Sequence, residues 1–408
     1  MSTYASRTTH QTLTLILASV LLSACQPKPA PVDQNAAMTQ AVGTAFASIQ
    51  QTKAAAFTPT PADTPTPLPT VVRTPPALPP TFVASSLNPL DTPHTYVQDQ
   101  CQYLKNKWTS TNSAPGTVVM VIMIHGITTD TITAPDAINV NNFNQLMNDI
   151  HSMGFQTINT QQLVDFLYTN AKIPQRSVLL IMDDRRTGSA IDHVYPFLVQ
   201  YNWTLTLAWL IGAGPDSTDN KLPLTTIYDQ QHGLKFQTLW QQVEAYYQLG
   251  HFDVQAHGFV HNIPISSNSS EEYIHGEIYN PIPILEQHFG KQPIAFIWPG
   301  GGFTLRAVQV AREAGYKVGF TINPRGPIMF NWVPQGDQAD PQRPYYLPEG
   351  PIKDPLMLLP RYWDVDAGAH LDEVRIIGNQ AAAYAQQNKA TELEYYDIMC
   401  KPTLGPIP

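Results

Sequence analysis

The sequence predicts an α/β fold, specifically a distorted or incomplete (β/α) barrel with a metal site at the C-terminal ends of its strands. Apolar runs of strand length alternate with segments of helical periodicity from about residue 96 onward. Near-continuous apolar strands are typical of parallel sheets that helices cover on both faces. About eight such runs occur, which suits a barrel, and in barrels the reactive side chains gather where the strands end.

The expected strands and helices follow one another in a regular order. The strand candidates are TVVMVIMIHG, FQTIN, SVLLIMDD, LTLAWLIG, HFDVQAHG, PIAFIWPG, YKVGFTIN and LMLLPRYWDV. In NNFNQLMNDIHSMG, apolar residues recur at i, i+3, i+4 and i+7, which predicts a helix with one buried face. Later helix candidates are LKFQTLWQQVEAYYQLG, EEYIHGEIYNPIPILEQHFG and LRAVQVAREAGY, the second of them broken at Pro281 and Pro283.

Composition limits the function classes. The chain has 408 residues, 13 % of them charged, and a formal net charge of −9. A nucleic-acid binder would carry a basic face, so this balance argues for a globular body that does not bind nucleic acid.

The first 25 residues have the pattern of an export signal. Arg7 and His10 precede the apolar stretch 13–22, which is too short to span a bilayer but fits a signal-peptide core. Leu22-Ser23-Ala24-Cys25 resembles the bacterial lipobox, in which the cysteine carries the lipid. An ordinary secretory signal with a chance cysteine is the alternative. We therefore expect an exported protein, lipid-anchored through Cys25 to the outer face of a bacterial membrane.

Residues 26–95 differ in composition from the rest of the chain. An Ala/Gln-rich stretch is followed by TPTPADTPTPLPTVVRTPPALPP, which has too little apolar content to pack. Such a segment predicts a disordered, extended tether between the anchor and a single domain at 96–408.

Two further cysteines, Cys101 and Cys400, lie near the two ends of that domain. In an exported protein an even pair favours a disulfide, which would join the ends of the domain and stabilise it.

Polar residues follow several of the expected strands at the same relative position. HGFVH places His257 and His261 four residues apart, so that both imidazoles can reach one ion. Two histidines and one carboxylate form a tripod that leaves coordination positions open, and a second carboxylate beside it can take a proton. The residues at these strand ends are His125, Asp183, Asp184, His257 and the loop that begins at Trp298.

These motifs together resemble the polysaccharide deacetylase family, the NodB-homology domain, from about Val118 to Asp366. The family's strand ending Thr-Phe-Asp-Asp-Gly corresponds to IMDDR, and its His-Ser/Thr-x-x-His corresponds to HGFVH. Its Pro-x-Gly loop and following helix correspond to FIWPGGGFTLRAVQVAREAGYKVGFT. VIMIHGI and LMLLPRYWDV fit the branch with an early histidine and a late Leu-Pro-Arg.

The resemblance implies an enzyme and assigns roles. Asp183 would be the general base, and Asp184, His257 and His261 would bind one divalent ion, most simply Zn²⁺. The substrate groove would be lined by Trp298, Pro299, Gly300, Gly301 and Gly302. The expected function is removal of N-acetyl groups from an envelope or extracellular polysaccharide by a monomeric, membrane-anchored hydrolase.

The chain also departs from the family pattern. The glycine after Asp-Asp is replaced by Arg185, so we expect a different turn conformation and an arginine that pairs with Asp183 or points outward. Gly258 replaces a hydroxyl residue that could order the loop. The family's late Leu-x-His, its general acid, has no clear match, which leaves His125 and His370 as candidates. Arg361 is a candidate to support Asp183.

Two alternatives remain open at this point. A catalytically impaired, glycan-binding relative of the same fold would account for Arg185, Gly258 and the missing acid. An iron oxygenase also uses two histidines and one carboxylate, but it has no need of the adjacent second aspartate.

Overall fold

The structure is a computed structural model that describes residues 43, 44, 47, 73–132, 136–212, 222–260 and 262–408. Residues Arg73–Pro408 form one compact unit. The predicted signal peptide, the predicted lipidation site Cys25 and the predicted ligand His261 lie outside the described residues.

The described part of the chain forms one large parallel sheet and two small two-stranded sheets. The strands are β1 (Asp91–His94), β2 (Val118–Ile124), β3 (Gly126–Thr128), β4 (Ala137–Asn139), β5 (Gln156–Thr157), β6 (Arg176–Met182), β7 (Leu205–Trp209), β8 (Phe252–Ala256), β9 (Ala295–Ile297), β10 (Val318–Phe320), β11 (Val333–Gly336) and β12 (Tyr362–Trp363). The large sheet has the order β10-β9-β8-β7-β6-β2-β12, with β5 also paired to β6. Its eight strands correspond to the eight predicted apolar runs, so the predicted fold class is confirmed.

Helices cover the sheet between successive strands. They are α1 (Gln100–Trp108), α2 (Val140–Ser152), α3 (Thr160–Thr169), α4 (Thr187–Ser189), α5 (Tyr195–Tyr201), α6 (Ile227–His232), α7 (Leu239–Gln248), α8 (Glu271–Tyr279), α9 (Pro281–Phe289), α10 (Leu305–Glu313), α11 (Asp364–Tyr395) and α12 (Lys401–Leu404). The segment with two prolines forms the two helices α8 and α9, as the break at Pro281 predicts. The 32-residue helix α11 was not predicted.

The parallel sheet curls until its two edge strands approach each other. Tyr362 of β12 pairs with Ile122 of β2 at one edge. Three residues earlier, Leu359 forms a parallel bridge to Phe320 of β10, at the other edge. All pairs in the sheet are parallel, so the carboxyl ends of the strands meet at one rim, where a common site can form.

The strands are buried on both faces, which explains their continuous apolar sequence. Every residue of β2 is buried, and so are the last six residues of β6. Residues from one face of these strands pack with helices α2 and α11 in the larger apolar core. Residues from the other face form a second apolar cluster with Phe320 and Leu359.

The tether predicted for residues 26–95 is wrong for residues 73–95. Residues from Arg73 onward belong to the folded unit. Phe82 packs against the core, and its carbonyl oxygen accepts a 2.7 Å hydrogen bond from Trp332 Nε1. Strand β1 pairs antiparallel with β11. Scattered apolar residues and carbonyl oxygens are enough to dock a proline-rich chain on a domain, although they could not form a core alone.

A disulfide joins Cys101 and Cys400, the pairing that the sequence predicts. Cys400 is fully buried beside Leu104 of α1 and Tyr396. We expect the variant Cys101→Ser/Cys400→Ser to lose about 4 kcal/mol of unfolding free energy, because the bridge closes a loop with a sequence separation of 299 residues. Urea unfolding with and without reductant measures this. Equal stabilities would contradict it.

Among the described residues, no helix combines the length and apolar character needed to cross a membrane.

Candidate active site

Strand register places His125 beside Asp183. The parallel pair β2–β6 aligns Ile124 with Met182, so the residue that follows each strand emerges at the same level. The Asp183 N–H donates to the Ile124 carbonyl oxygen at 2.8 Å, which continues the ladder. His125 Nε2 consequently lies 3.6 Å from Asp183 Oδ2, and both side chains are largely buried.

Arg361 holds the Asp183 carboxylate, as the sequence suggested. Its Nη1 donates to Asp183 Oδ1 at 2.7 Å, and its Nε donates to the Thr321 carbonyl oxygen at 2.7 Å. Burial alone would raise the pKa of Asp183, but the charges of Arg361, His257 and His125, together with the Arg361 hydrogen bond, outweigh that effect and the pKa lies below its ordinary value. Asp183 is therefore an ionised carboxylate able to accept a proton.

Removing the Arg361 charge should shift the acid limb of the pH–rate profile of any activity that needs ionised Asp183. We expect Arg361→Met to raise the pKa of Asp183, so that activity is lost at a higher pH as the solution is acidified. A buried carboxylate without its partner also costs about 3–5 kcal/mol of stability. Arg361→Lys keeps the charge and should shift the limb less. Superimposable pH–rate profiles for the wild-type chain and Arg361→Met would contradict this assignment.

His257 presents an unpaired ring nitrogen to Asp184. The ring is fully buried, and Nδ1 lies 2.9 Å from the Ile297 carbonyl oxygen, which fixes the proton on Nδ1. In the neutral ring Nε2 is then an unprotonated acceptor, which lies 3.3 Å from Asp184 Oδ1 and has no hydrogen bond. Two electron-pair donors facing each other in a buried place are the arrangement that a cation stabilises.

The carboxylates make this position strongly attractive to cations. Burial alone would lower the pKa of His257, but the neighbouring Asp184 and Asp183 raise it above the ordinary value. Burial would likewise raise the pKa of Asp184, which interaction with His257 holds below its usual range. The negative potential of these two carboxylates favours a proton on the His257 ring, and it also favours a divalent ion in place of that proton.

Asn262 connects Asp184 to the loop at 298–302, a contact that sequence reasoning missed. Its Nδ2 donates to Asp184 Oδ1 at 2.7 Å, and its Oδ1 accepts the Gly300 N–H at 2.8 Å. The sequence feature that could have pointed to Asn262 is its position directly after HGFVH.

The turn after the two aspartates is left-handed despite the lack of glycine. Asp184 and Arg185 have φ of 58° and 54°. The expectation of another conformation at Arg185 is therefore wrong, because the residue adopts the positive φ that glycine favours, at a cost on the order of 1–2 kcal/mol. Arg185 Nη1 donates to the Ile211 carbonyl oxygen at 3.0 Å, whereas the guanidinium that pairs with Asp183 is that of Arg361.

Asp136 is a second site residue that the sequence did not reveal. Ligand atoms of His125, Asp136 and Asp184 lie within 4.8 Å of one another. Arg186 Nη2 lies 3.6 Å from Asp136 Oδ2 and 3.8 Å from Asp184 Oδ2. Asp136 precedes β4, far from any predicted strand end, so its place along the chain gave no signal.

The donor set of the site fits a divalent metal ion. Asp184 supplies carboxylate oxygen and His257 supplies a buried nitrogen without a hydrogen bond, which are ligand types that Zn²⁺ accepts. Since His261 lies outside the described residues, its role as the third ligand remains a prediction.

The loop at 298–302 borders the site, but one of its predicted substrate contacts is wrong. Trp298 has no exposed surface, and its Nε1 donates to the Met357 carbonyl oxygen at 2.7 Å. It supports the loop from the core, because an indole this large is more stable when buried. Of the remaining predicted groove residues, Gly300 is exposed, whereas Pro299, Gly301 and Gly302 are buried.

The two candidate acids differ in position. His370 lies on α11, where Nδ1 pairs with Glu373 at 2.9 Å and the ring packs near Tyr362. His125 adjoins Asp183 and stacks on Trp363 at 5.7 Å between ring centroids. Asp364, next to Trp363, was missed: burial raises its pKa to about 7, although the His125 and Val365 backbone N–H groups lower it in part.

Residues 170–319 match the family model described as Polysaccharide deacetylase. The matched segment contains strands β6 to β9 and the start of β10, with Asp183, Asp184 and His257. No curated protein matches the chain.

Three solved structures resemble the chain at low identity. A deacetylase of Streptococcus pyogenes (PplD) in complex with acetate has a TM-score of 0.47 and 17 % identity, over 64 % of this chain and 99 % of that chain. A de-N-acetylase from Aggregatibacter actinomycetemcomitans has a TM-score of 0.44 and 18 % identity, over 60 % and 94 %. IcaB from Ammonifex degensii has a TM-score of 0.44 and 16 % identity, over 65 % and 98 %.

Proposed function

We propose that this protein is a metal-dependent hydrolase that removes N-acetyl groups from an envelope or extracellular polysaccharide. The observation that carries the proposal is the buried, unpaired Nε2 of His257 facing Asp184, with the Arg361-bound carboxylate of Asp183 beside it. The match of residues 170–319 to the family model supports the same chemistry.

Asp184, His257 and His261 would hold the ion, most simply Zn²⁺. When bound, a divalent ion supplies Lewis acidity, which polarises the acetyl carbonyl and lowers the pKa of water from ~15.7 to about 7. Asn262 keeps Asp184 in orientation through its 2.7 Å hydrogen bond.

Asp183 is the general base in this proposal. Its Oδ2 faces His125, while Oδ1 is occupied by Arg361, so one oxygen is available to take a proton from water as the water attacks the acetyl carbon. The low pKa keeps Asp183 ionised but makes it a weak base, so Asp183 readily releases to solvent the proton that it takes from water, and a separate acid must protonate the leaving nitrogen.

His125 is the better candidate for the acid that protonates the leaving nitrogen. Its Nε2 is 3.6 Å from Asp183, close enough for both groups to act on one bound acetamide. Cleavage of the carbon–nitrogen bond then yields acetate and a free amino sugar, with the nitrogen taking the proton. His370 instead contacts Glu373 and Tyr362, which makes it the weaker candidate.

The proposal extends to location and partners. The lipobox-like Cys25 and the Thr/Pro-rich stretch after it support a hydrolase anchored by lipid to the outer face of a bacterial membrane, acting as a monomer on acetylated polysaccharide.

A glycan-binding protein without activity is the second candidate. The 3.8 Å approach of Arg186 to Asp184 favours it, because a guanidinium can neutralise the carboxylate that a metal ion would need.

The test is metal content and acetate release, measured on Arg73–Pro408, which is one compact unit. We expect about one divalent ion per chain by plasma mass spectrometry after loading with Zn²⁺, and release of acetate from N-acetylglucosamine oligomers. Bound ion without acetate release would favour the glycan-binding alternative. Absence of both would refute the proposed function.

A further inference from the structure

Gly258, the second residue of HGFVH, occupies a position where a side chain has no room. Its φ is 92°, a left-handed value that residues with a Cβ atom rarely adopt. A Cβ atom added there would lie 2.7 Å from Glu277 Oε2 and 3.0 Å from Pro299 Cγ. The atom that would crowd a side chain at position 258 most closely is therefore a carboxylate oxygen of Glu277.

Glu277 lies on α8, and its side chain contacts the loop that follows His257. Its side chain is 2 % exposed. Oε2 accepts the Phe259 N–H at 2.7 Å, and Oε1 accepts the Val260 N–H at 3.2 Å. Both oxygens thus bind the backbone of two of the three residues between His257 and His261.

The buried Glu277 carboxylate has no countercharge among the residues that the structure describes. Within the described ranges, no basic side chain forms an ion pair with Glu277. Burying a carboxylate costs several kcal/mol unless hydrogen bonds replace its lost hydration, and bonds from N–H groups to a charged acceptor are the stronger kind. The two loop N–H groups provide that stabilisation, so the position of α8 and the conformation of the loop depend on each other.

The residue that follows HGFVH, Asn262, attaches this segment to the rim through separate hydrogen bonds. Asn262 links it to Asp184 and to Gly300. Residues 259 and 260 have no such link to the rim, and their described side-chain partner is Glu277.

We propose that Glu277 is the positioning residue of this loop: by binding the Phe259 and Val260 N–H groups it directs His257 toward Asp184, in place of the hydroxyl that Gly258 lacks. The role rests on the proposed function, since the direction of His257 matters for holding an ion.

The first test compares Glu277→Gln with Glu272→Gln, an exposed glutamate on the same helix. Glutamine keeps the size of the side chain but turns an NH₂ group toward one of the two N–H donors. We expect the Kd for Zn²⁺, measured by competition with a chromophoric chelator, to rise at least ~10-fold in Glu277→Gln and to stay unchanged in Glu272→Gln. A Kd within ~2-fold of wild type in a folded Glu277→Gln protein would overturn the proposal.

Hydrogen exchange separates this inference from the proposed function. In the metal-free protein, peptides covering residues 257–260 should exchange faster in Glu277→Gln than in the wild type or in Glu272→Gln. Unchanged exchange would overturn the positioning role, whatever the metal result. A wild-type chain that binds no Zn²⁺ would instead refute the proposed function.

A double variant tests whether Gly258 and Glu277 act through the same contact. Gly258→Ala should weaken Zn²⁺ binding more in the wild-type background than in Glu277→Ala, where the crowding oxygen is absent. Equal fold-changes in both backgrounds would overturn the coupling between the two positions.

Discussion

We expect Asp183→Asn to lower kcat for acetate release by about 10³-fold while leaving the bound metal in place. Asparagine has nearly the same shape, and its amide oxygen can still accept the hydrogen bond that Arg361 Nη1 donates at 2.7 Å. It cannot take a proton from water, so only the base function is removed. Arg361, His257 and His125 together hold the pKa of Asp183 below its ordinary value, so the wild-type carboxylate is ionised across neutral pH.

The measurement is acetate release from N-acetylglucosamine oligomers under saturating substrate, together with metal content. Asp165→Asn is the matched control, because Asp165 is an exposed carboxylate on α3. If Asp183→Asn kept activity within ~10-fold of the wild type at unchanged metal content, Asp183 would not be the base.

We expect His257→Ala to abolish stable metal binding and, with it, activity. The ring offers a buried nitrogen without a hydrogen bond, 3.3 Å from Asp184 Oδ1, and alanine leaves that carboxylate facing an apolar methyl group. Loss of a residue that supports a metal ligand typically costs 10–100-fold in affinity, so loss of a ligand should raise the Kd for Zn²⁺ by more than ~100-fold.

Chelator competition measures that Kd, and thermal unfolding of the metal-free protein shows whether the variant is folded. His275→Ala is the control, since His275 is a surface residue of α8 that pairs with Glu271. A folded His257→Ala protein with wild-type affinity for Zn²⁺ would show that the ion binds elsewhere, for example between Asp136 and His125, which also approach Asp184.

Much of the fold could be predicted because its strands are buried on both faces. Val118–Ile124 and Arg176–Met182 contain almost only apolar residues, and such runs stand out in any sequence. Strands β1, β3, β4 and β11 are short or contain prolines and polar residues, so their sequences carry no comparable pattern. Helix α11 escaped prediction because its buried face includes the small residues Ala367, Gly378, Ala381 and Ala385, which give only a weak apolar pattern.

The sequence by itself determined the parallel barrel class, the residues at the strand ends and the pairing of the two cysteines. The first two follow from period and order along the chain, which are local properties, and the third follows because Cys101 and Cys400 are the two cysteines of the expected domain. Only the tertiary structure decided that Trp298 is buried, that residues 73–95 join the domain, and that Asp136, Asn262 and Glu277 converge on the site. Such contacts join segments tens to hundreds of residues apart, so they depend on how loops cross the rim, and spacing along the chain does not encode that path.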